Sequence, residues 1–579
     1  MLGEILEPAD LRRLDRAALP SVADELRSEL IDIGAAIGGH FAASLGVVEL
    51  SIGLHWVFET PHDRIVWDVG HQGYAHKALT GRLSELRRIK RADGPSGFLR
   101  RCESPFDVFG AGHAGTSISA ALGMAEAARR RAPSRRVVAV IGDGGATAGM
   151  AFEALNHAGA LRAPLRLIFN DNGMSIAPSV GGLASTGDVR GYAQALGIAY
   201  RGPVDGHDLA ALLPALQALR DEPDEEGPVL LHVRTVKGKG FAAAEADPFG
   251  WHATTPFDRE TGARAKSGGG GPPSWTEAFA DALGRIADRD PRVVALTAAM
   301  PDGTGLDRFA ERHPDRVYDV GIAEQHAVTF AAGLAAEGLR PVCAIYSTFL
   351  QRAFDQIVHD VALQSLPVVF ALDRAGLVGG DGPTHHGALD LAYLRSIPNL
   401  VVAAPRDENE LQRLLATAIE GDRPFAIRFP RGKAIGVAMD PDPKPLRIGR
   451  GELLQPGDDV ALLALGKGVP EAQRAAELLE AAGLSVAVAD ARFVKPLDTA
   501  LLESLADRAR VLVTLEDHAR SGGLGSAVAE WISETHPELR LLRVGIGDHF
   551  VDHGDAAEQW EKEKMNAEAI VRAVCDELA

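Results

Sequence analysis

Cysteine is scarce. Cys102, Cys343 and Cys575 are the only three in 579 residues, and they form no CxxC pair. That excludes a disulfide framework and a cysteine-based zinc site, and it suits a reducing compartment. Basic residues are also in deficit, 60 Lys and Arg against 79 Asp and Glu, for a net charge of −19. No basic stripe can offset that balance, which argues against a nucleic-acid binder and requires phosphate-bearing substrates to meet locally placed arginines. No apolar run reaches membrane-spanning length, and MLGEILEPADLRRLDRAALP at the N-terminus lacks the apolar segment of a secretory signal. The expectation is a water-soluble, cytoplasmic protein. With 46% hydrophobic residues the chain can bury large cores, and its length implies several domains at roughly 100–200 residues each.

The stretch from Ile141 to Met174 organises what is present. The β-branched run Val137 to Ile141 reads as a buried strand, and Gly142-Asp143-Gly144 ends it in a turn where the backbone can approach a ligand. A helical pattern follows, with Met150, Phe152, Ala154, Leu155 and Ala158 in apolar positions. A second strand, Leu165 to Phe169, runs into Asn170-Asp171-Asn172. Such a β-α-β unit puts both strand ends on one edge of a parallel sheet, where open α/β sheets bind ligands. Asp143 offers a carboxylate, Asn172 a side-chain carbonyl and Met174 a main-chain carbonyl, hard oxygens that suit Mg²⁺ beside a diphosphate. GDG alone is a common Gly-rich turn; GDG followed by NDN across one unit resembles the thiamine-diphosphate enzymes. In that family the Asp, the Asn and a main-chain carbonyl hold Mg²⁺ against the cofactor's diphosphate, which maps to Asp143, Asn172 and Met174.

Elsewhere in the first domain, helices are expected over residues 7–35 and after Gly38-Gly39-His40. A strand from Arg64 to Val69 runs into Gly70-His71-Gln72. Gly110 to Ser117 is a Gly-rich turn at a helix start, whose exposed N–H groups offer a place for an anion. A histidine beside a glycine is usually a bystander, yet His40, His71 and His113 all occupy GH turns, which points to a shared cleft. GGHFAASLGVVEL, WDVGHQGYAHKALTGR, GHAGTSISAALGMA, PVDGHD and KGKGFAAAEADPFGWH narrow the resemblance to the 1-deoxy-D-xylulose-5-phosphate synthase family. That resemblance places His71, Gly112, His113, Ala114, Gly144, Gly145 and Phe241 around the cofactor. It puts Lys237 near the diphosphate, and His40 and His252 at the reacting centre. Position 241 is often Tyr in the family, so its hydroxyl is missing here. A larger departure follows SIAPSVGG. The family carries several tens of residues there, in a mobile region near the active site, whereas here about ten, Leu183 to Gly191, bridge the gap. A naturally short loop and an engineered deletion both fit, and the fold should survive either, because surface insertions are removable.

Residues 254–274, with four consecutive glycines followed by two prolines, read as a linker. Beyond it, strands expected at Val293–Leu296, Val317–Val320, Val342–Tyr346, Val368–Leu372 and Val401–Ala404 alternate with helices, implying a second parallel sheet. Glu324, in GIAEQH, opens a helix, where an acidic residue often does no more than complement the helix dipole. In the resembled family a Glu in this context hydrogen-bonds the cofactor's aminopyrimidine and favours the tautomer that takes the C2 proton. A pKa raised by desolvation would help it share that proton. The resemblance also implies that Phe349 packs on the pyrimidine and that Tyr346, Arg352, Arg374 and Arg431 clamp the sugar phosphate. Arginines at strand ends are equally often structural ion-pair partners. Asp381 and His385, in GDGPTHHG, would face the substrate for positioning and proton transfer. A second linker, DPDPKP, precedes a smaller α/β unit in which Gly522-Gly523-Leu524-Gly525 reads as a turn rather than a nucleotide loop.

The expected fold is α/β with three domains, each a mostly parallel sheet flanked by helices. Residues 1–253 would bind the diphosphate and 275–440 the pyrimidine, and 447–579 would be a transketolase-like C-terminal domain that helps dimerisation. The resemblance implies a homodimer that uses thiamine diphosphate and Mg²⁺. It would decarboxylate pyruvate and pass the two-carbon unit to D-glyceraldehyde 3-phosphate, giving 1-deoxy-D-xylulose 5-phosphate for isoprenoid, thiamine and pyridoxal precursors. A transketolase or the E1 part of a 2-oxoacid dehydrogenase shares the cofactor motifs, and a binding protein that kept the fold without turnover would share them too.

Overall fold

A computed structural model describes residues 1–264 and 271–579. Residues 265–270 of the expected linker, with the first three of its four consecutive glycines, lie outside the described residues. The chain divides into two compact units, Met1–Ser267 with Gly321–Ala323, and Gly268–Val320 with Glu324–Ala579.

The first unit is built on strands β1 (Arg64–Trp67), β2 (Val137–Gly142), β3 (Arg166–Asp171), β4 (Ala199–Asp205) and β5 (Val229–Arg234), all parallel in the order β1-β2-β3-β5-β4. The central strands are buried on both faces, which is why they read as continuous apolar runs. Register pairs Gly142 with Asn170, so the GDG and NDN turns leave the sheet side by side. Helix Gly149–Leu161 joins the two strands, with Ala151, Ala154, Leu155 and Ala158 buried. Phe152, expected on that apolar face, is 48% exposed and lies against Tyr192 instead. Two residues on from Met150 is the wrong step for a shared helix face.

The second unit carries two sheets. In chain order its strands are β6 (Val293–Thr297), β7 (Val317–Asp319), β8 (Arg340–Tyr346), β9 (Val369–Ala375), β10 (Val401–Ala403), β11 (Phe425–Pro430), β12 (Glu452–Gln455), β13 (Val460–Ala464), β14 (Val486–Asp490), β15 (Phe493–Lys495), β16 (Val511–Ala519) and β17 (Arg540–Ile546). One sheet runs β15-β10-β11-β9-β8-β6-β7 and is parallel except for β15. The other runs β12-β14-β13-β16-β17 and is parallel except for β12. A single apolar cluster, including Leu372, Leu391, Leu463 and Leu512, spans both sheets. The mostly parallel α/β class is therefore as expected.

The strands that hydropathy did not anticipate are β4, β12, β15 and β17, each a sheet edge, and β11, which is central and buried throughout. Edge strands are half-solvated, short or interrupted, as AYRGPVD and ELLQ are, so they lack the apolar signature of central strands. Among the described residues, no helix is long and apolar enough to cross a membrane.

Candidate active site

In the first unit, Asp143 opens a one-turn helix directly after β2 and is buried. Its Oδ2 accepts from Ser179 Oγ at 2.6 Å and its Oδ1 from the Asn172 N–H at 3.4 Å. Asn172 Oδ1 in turn accepts from the Met174 N–H at 3.0 Å. The three expected metal ligands thus belong to one hydrogen-bonded turn. Burial raises the Asp143 pKa, and the bond from Ser179 opposes that rise. Lys237 Nζ donates to the carbonyls of Ser175 at 3.1 Å and Ile176 at 3.3 Å, fixing the chain just beyond Met174, and burial pushes its pKa down to about 8.

The turn at Gly110 to Ser117 holds an anion, and the anion is the protein's own. The Asp68 carboxylate accepts from the N–H groups of Gly115 at 2.8 Å and Ser117 at 3.0 Å. The expectation of an anion-accepting turn is met by a side chain from the end of β1. Gly145 is required beside it, since a Cβ there would come within 2.7 Å of Asp68 Oδ1. Gly112 takes a positive φ, and His113 and Ala114 are half-buried on the same turn.

His40, His71 and His252 converge, with ring centroids 5.3 Å apart for His40 and His252, 5.4 Å for His71 and His252, and 6.4 Å for His40 and His71. Nδ1 of His71 and of His252 is buried without a hydrogen-bond partner among the described residues. Desolvation drives both pKa values down, His71 to about 3, with the Lys237 charge acting the same way. These two rings are neutral at physiological pH. Lys90 Nζ lies 3.3 Å from His40 Nδ1. Phe241 sits within an aromatic cluster, its ring centroid 5.2 Å from that of Trp251 and 5.3 Å from that of Phe257.

In the second unit, Glu324 begins helix Glu324–Ala336 and is 4% exposed. Its Oε2 has no hydrogen-bond partner among the described residues, and Arg352 Nη1 stands 3.8 Å away. Burial raises its pKa against the pull of Arg352. A carboxyl serving only the helix dipole would sit in solvent; this one is desolvated. Arg352, expected in the phosphate clamp, is placed beside Glu324.

The Arg374 guanidinium lies over the buried Tyr346 ring, 4.0 Å from its centroid, and Phe349 stacks on that ring at 5.5 Å. Phe349 also meets the His385 ring edge-on at 5.5 Å. Asp373, next to Arg374, accepts from Thr276 Oγ1 at 2.6 Å, and burial pushes its pKa up to about 6. Arg431 donates to the Val378 carbonyl at 3.0 Å and lies 3.4 Å from Asp381 Oδ2, with much of its side chain exposed. Tyr346, Arg374, Phe349 and His385 therefore form one chain of contacts, and Arg431 and Asp381 form a pair. Sequence reasoning missed Asp68, Lys90 and Ser179. Asp68 had a signal, being three residues from His71 at a strand end; the other two had none.

The family model for 1-deoxy-D-xylulose-5-phosphate synthase matches residues 2–190 and 188–235, the transketolase pyrimidine-binding domain matches 271–435, and the transketolase C-terminal domain matches 449–570. The 1-deoxy-D-xylulose-5-phosphate synthase of Thiobacillus denitrificans is 50% identical over 620 aligned residues, covering 100% of this chain and 99% of the relative. That of Magnetococcus marinus is 51% identical and covers 96% of each chain. Among solved structures, one described as a split gene transketolase, inactive beta4 tetramer, is 34% identical with a TM-score of 0.48, covering 53% of this chain and 98% of that one.

Proposed function

The chain belongs to the 1-deoxy-D-xylulose-5-phosphate synthase family, and from that membership we infer its reaction. Pyruvate loses CO₂, and the remaining two-carbon unit is joined to the aldehyde carbon of D-glyceraldehyde 3-phosphate, giving 1-deoxy-D-xylulose 5-phosphate, a precursor for isoprenoid synthesis. Thiamine diphosphate, when bound, supplies the carbanion-stabilising centre that amino-acid side chains lack.

The observation that carries this reading is Glu324. A buried carboxyl with a free oxygen and a raised pKa is suited to share a proton with a neutral ring nitrogen. Asp143, Asn172 and the Met174 carbonyl are proposed to hold Mg²⁺. Their donors are hard oxygens carrying one charge, and among the described residues no cluster of three or more His, Cys, Asp or Glu forms a self-sufficient metal site. The cation would therefore depend on phosphate oxygens to complete its shell.

Lys237 is proposed to face the diphosphate while holding the Ser175 and Ile176 carbonyls. His40 and His252 are assigned to the reacting centre. The neutral His252 can hydrogen-bond a developing oxyanion or hydroxyl without adding charge. Arg374 and Arg431 are assigned to the sugar phosphate, with Asp381 and His385 positioning the aldehyde. We also propose that the three sheets mark three domains and that the protein works as a homodimer, which sedimentation analysis would test. The test of the reaction is CO₂ release from pyruvate with thiamine diphosphate and Mg²⁺. Release stimulated by glyceraldehyde 3-phosphate and abolished in Glu324→Ala is expected; release indifferent to the aldehyde would overturn the synthase reading.

A further inference from the structure

The residues assigned to the aldehyde substrate hang on a short neck. Gly376 and Gly387 exchange both backbone hydrogen bonds, at 2.9 and 2.8 Å, closing a loop that carries Asp381 and His385. Arg374 lies two residues before the neck in a left-handed conformation, φ 60°. Beyond the neck the two arms of the loop are tied again by the bond from the Val378 N–H to His386 Nδ1 at 3.1 Å.

The neck rests on a side chain from the other sheet of the same unit. Asp517, on β16, is 2% exposed, and its Oδ1 accepts from the Leu377 N–H at 3.1 Å. Oδ2 is buried and has no hydrogen-bond partner among the described residues. Gly376, with φ 75°, lies so close that a Cβ added there would come 1.9 Å from Asp517 Oδ2. Arg428 completes the seat, donating from Nη2 to the carbonyls of Gly387 at 3.1 Å and Asp517 at 2.9 Å, and from Nε to Asp390 at 2.8 Å.

We propose that Asp517 is a positioning residue for the aldehyde-phosphate substrate, its carboxylate fixing the Gly376–Gly387 neck and through it Arg374, Asp381 and His385. The proposal rests on the assignment of those three residues to that substrate. A purely structural carboxylate would be satisfied at both oxygens by the strands around it. Asp517 instead spends one oxygen on a loop amide, and Gly376 has no side chain to keep it at a distance. An error of about 1 Å in this seat would be passed to three substrate-facing groups at once, which is enough to change rates by about a hundredfold.

The test compares Asp517→Ala, the isosteric Asp517→Asn, Gly376→Ala, the double variant Gly376→Ala/Asp517→Ala, and Arg374→Ala as the benchmark for the clamp. Each is assayed for KM of glyceraldehyde 3-phosphate and, separately, for aldehyde-independent CO₂ release from pyruvate. The expected result is a rise of about tenfold or more in the aldehyde KM for Asp517→Ala and Gly376→Ala, with pyruvate KM within about twofold of the parent. The double variant should be no closer to the parent than Asp517→Ala, because the neck still lacks its carboxylate and an alanine at φ 75° stays strained after the clash is removed. If Asp517→Ala does not fold, Asp517→Leu, which also lacks an acceptor for the Leu377 N–H, carries the same comparison, while Asp517→Asn, which keeps one, should stay nearer the parent. An unchanged aldehyde KM in folded Asp517→Ala or Asp517→Leu, alongside a raised KM in Arg374→Ala, overturns the positioning role alone. An unchanged KM in Arg374→Ala overturns the clamp and the positioning role with it. Equal losses for both substrates would show a general structural role and also overturn it.

Discussion

Arg352 Nη1 stands 3.8 Å from Glu324 Oε2, the oxygen that finds no hydrogen-bond partner among the described residues. The pair is too long to satisfy the carboxylate, and burial prevails over the attraction, so the Glu324 pKa is raised above its ordinary 4.5. Between the ordinary and the raised value the folded chain binds more protons than the unfolded one, so stability falls as pH rises through that window. Glu324→Gln removes this cost. The expected outcome is a higher Tm than the parent at pH 8, a gain that vanishes below pH ~4.5, and CO₂ release reduced by about a hundredfold or more. Thermal scans at the two pH values with a decarboxylation assay check it; a lower Tm at pH 8 would show that the carboxylate is stabilising.

The imidazole cluster titrates in the opposite sense. His71 is held near 3 against an ordinary 6.5, so as pH falls below 6.5 the unfolded chain takes up its proton first. The stability that neutral His71 contributes is fully present above pH 6.5 and is lost progressively down to about 3. His71→Asn should therefore flatten the acid limb of a stability–pH curve without abolishing it, since the His252 pKa is lowered in the same direction. Urea unfolding between pH 4 and 7 reads the slope directly.

Ser179 donates to Asp143 Oδ2 at 2.6 Å and orients the carboxylate proposed to hold Mg²⁺. Partners of this outer kind commonly tune metal affinity by roughly 10- to 100-fold. Ser179→Ala should weaken Mg²⁺-dependent cofactor binding by about that factor and leave the fold intact, whereas Asp143→Asn should remove the Mg²⁺ dependence. Calorimetric titration of thiamine diphosphate at several Mg²⁺ concentrations, with a chelated control, separates the two.

Arg431 is the more exposed cation of the proposed clamp, and its partner Asp381 lies at 3.4 Å. Arg431→Ala is expected to raise the KM for glyceraldehyde 3-phosphate by about tenfold or more and to leave that for unphosphorylated glyceraldehyde within about twofold. An equal effect on both aldehydes would assign Arg431 to the loop rather than to the phosphate.

What the sequence disclosed follows from how far each signal reaches. Asp143, Asn172 and Met174 lie within one β-α-β unit, and adjacency of their strands follows from local pattern alone. Glu324 was legible from its motif, while its desolvation came from packing no local pattern records. Asp68 caps N–H groups 47 and 49 residues away, and Asp517 holds one 140 residues away. Such partners are set by tertiary structure: Asp68 offered only its place at a strand end near His71, and Asp517 sits in no spacing that announces a ligand. The Gly522 to Gly525 turn makes the same point. The group that accepts from the Leu524 and Gly525 N–H groups there, the buried Glu516 carboxylate at 2.6 and 2.8 Å, has no sequence signal.

Strand β15 carries a consequence for how this chain can be cut. Phe493–Lys495 follows β14 of one sheet, yet it closes the edge of the other, antiparallel to β10, with the Phe493 ring beside that of Phe425. The seam between the two sheets therefore runs through the tail of the polypeptide and not at the proline-rich segment before it. A gene fragment ending near Pro445 would encode an unfinished sheet, with β10 offering bare backbone to any passing strand. The last 130 or so residues are thus a clasp rather than a removable module, and the polypeptide must be nearly complete before its middle sheet can close.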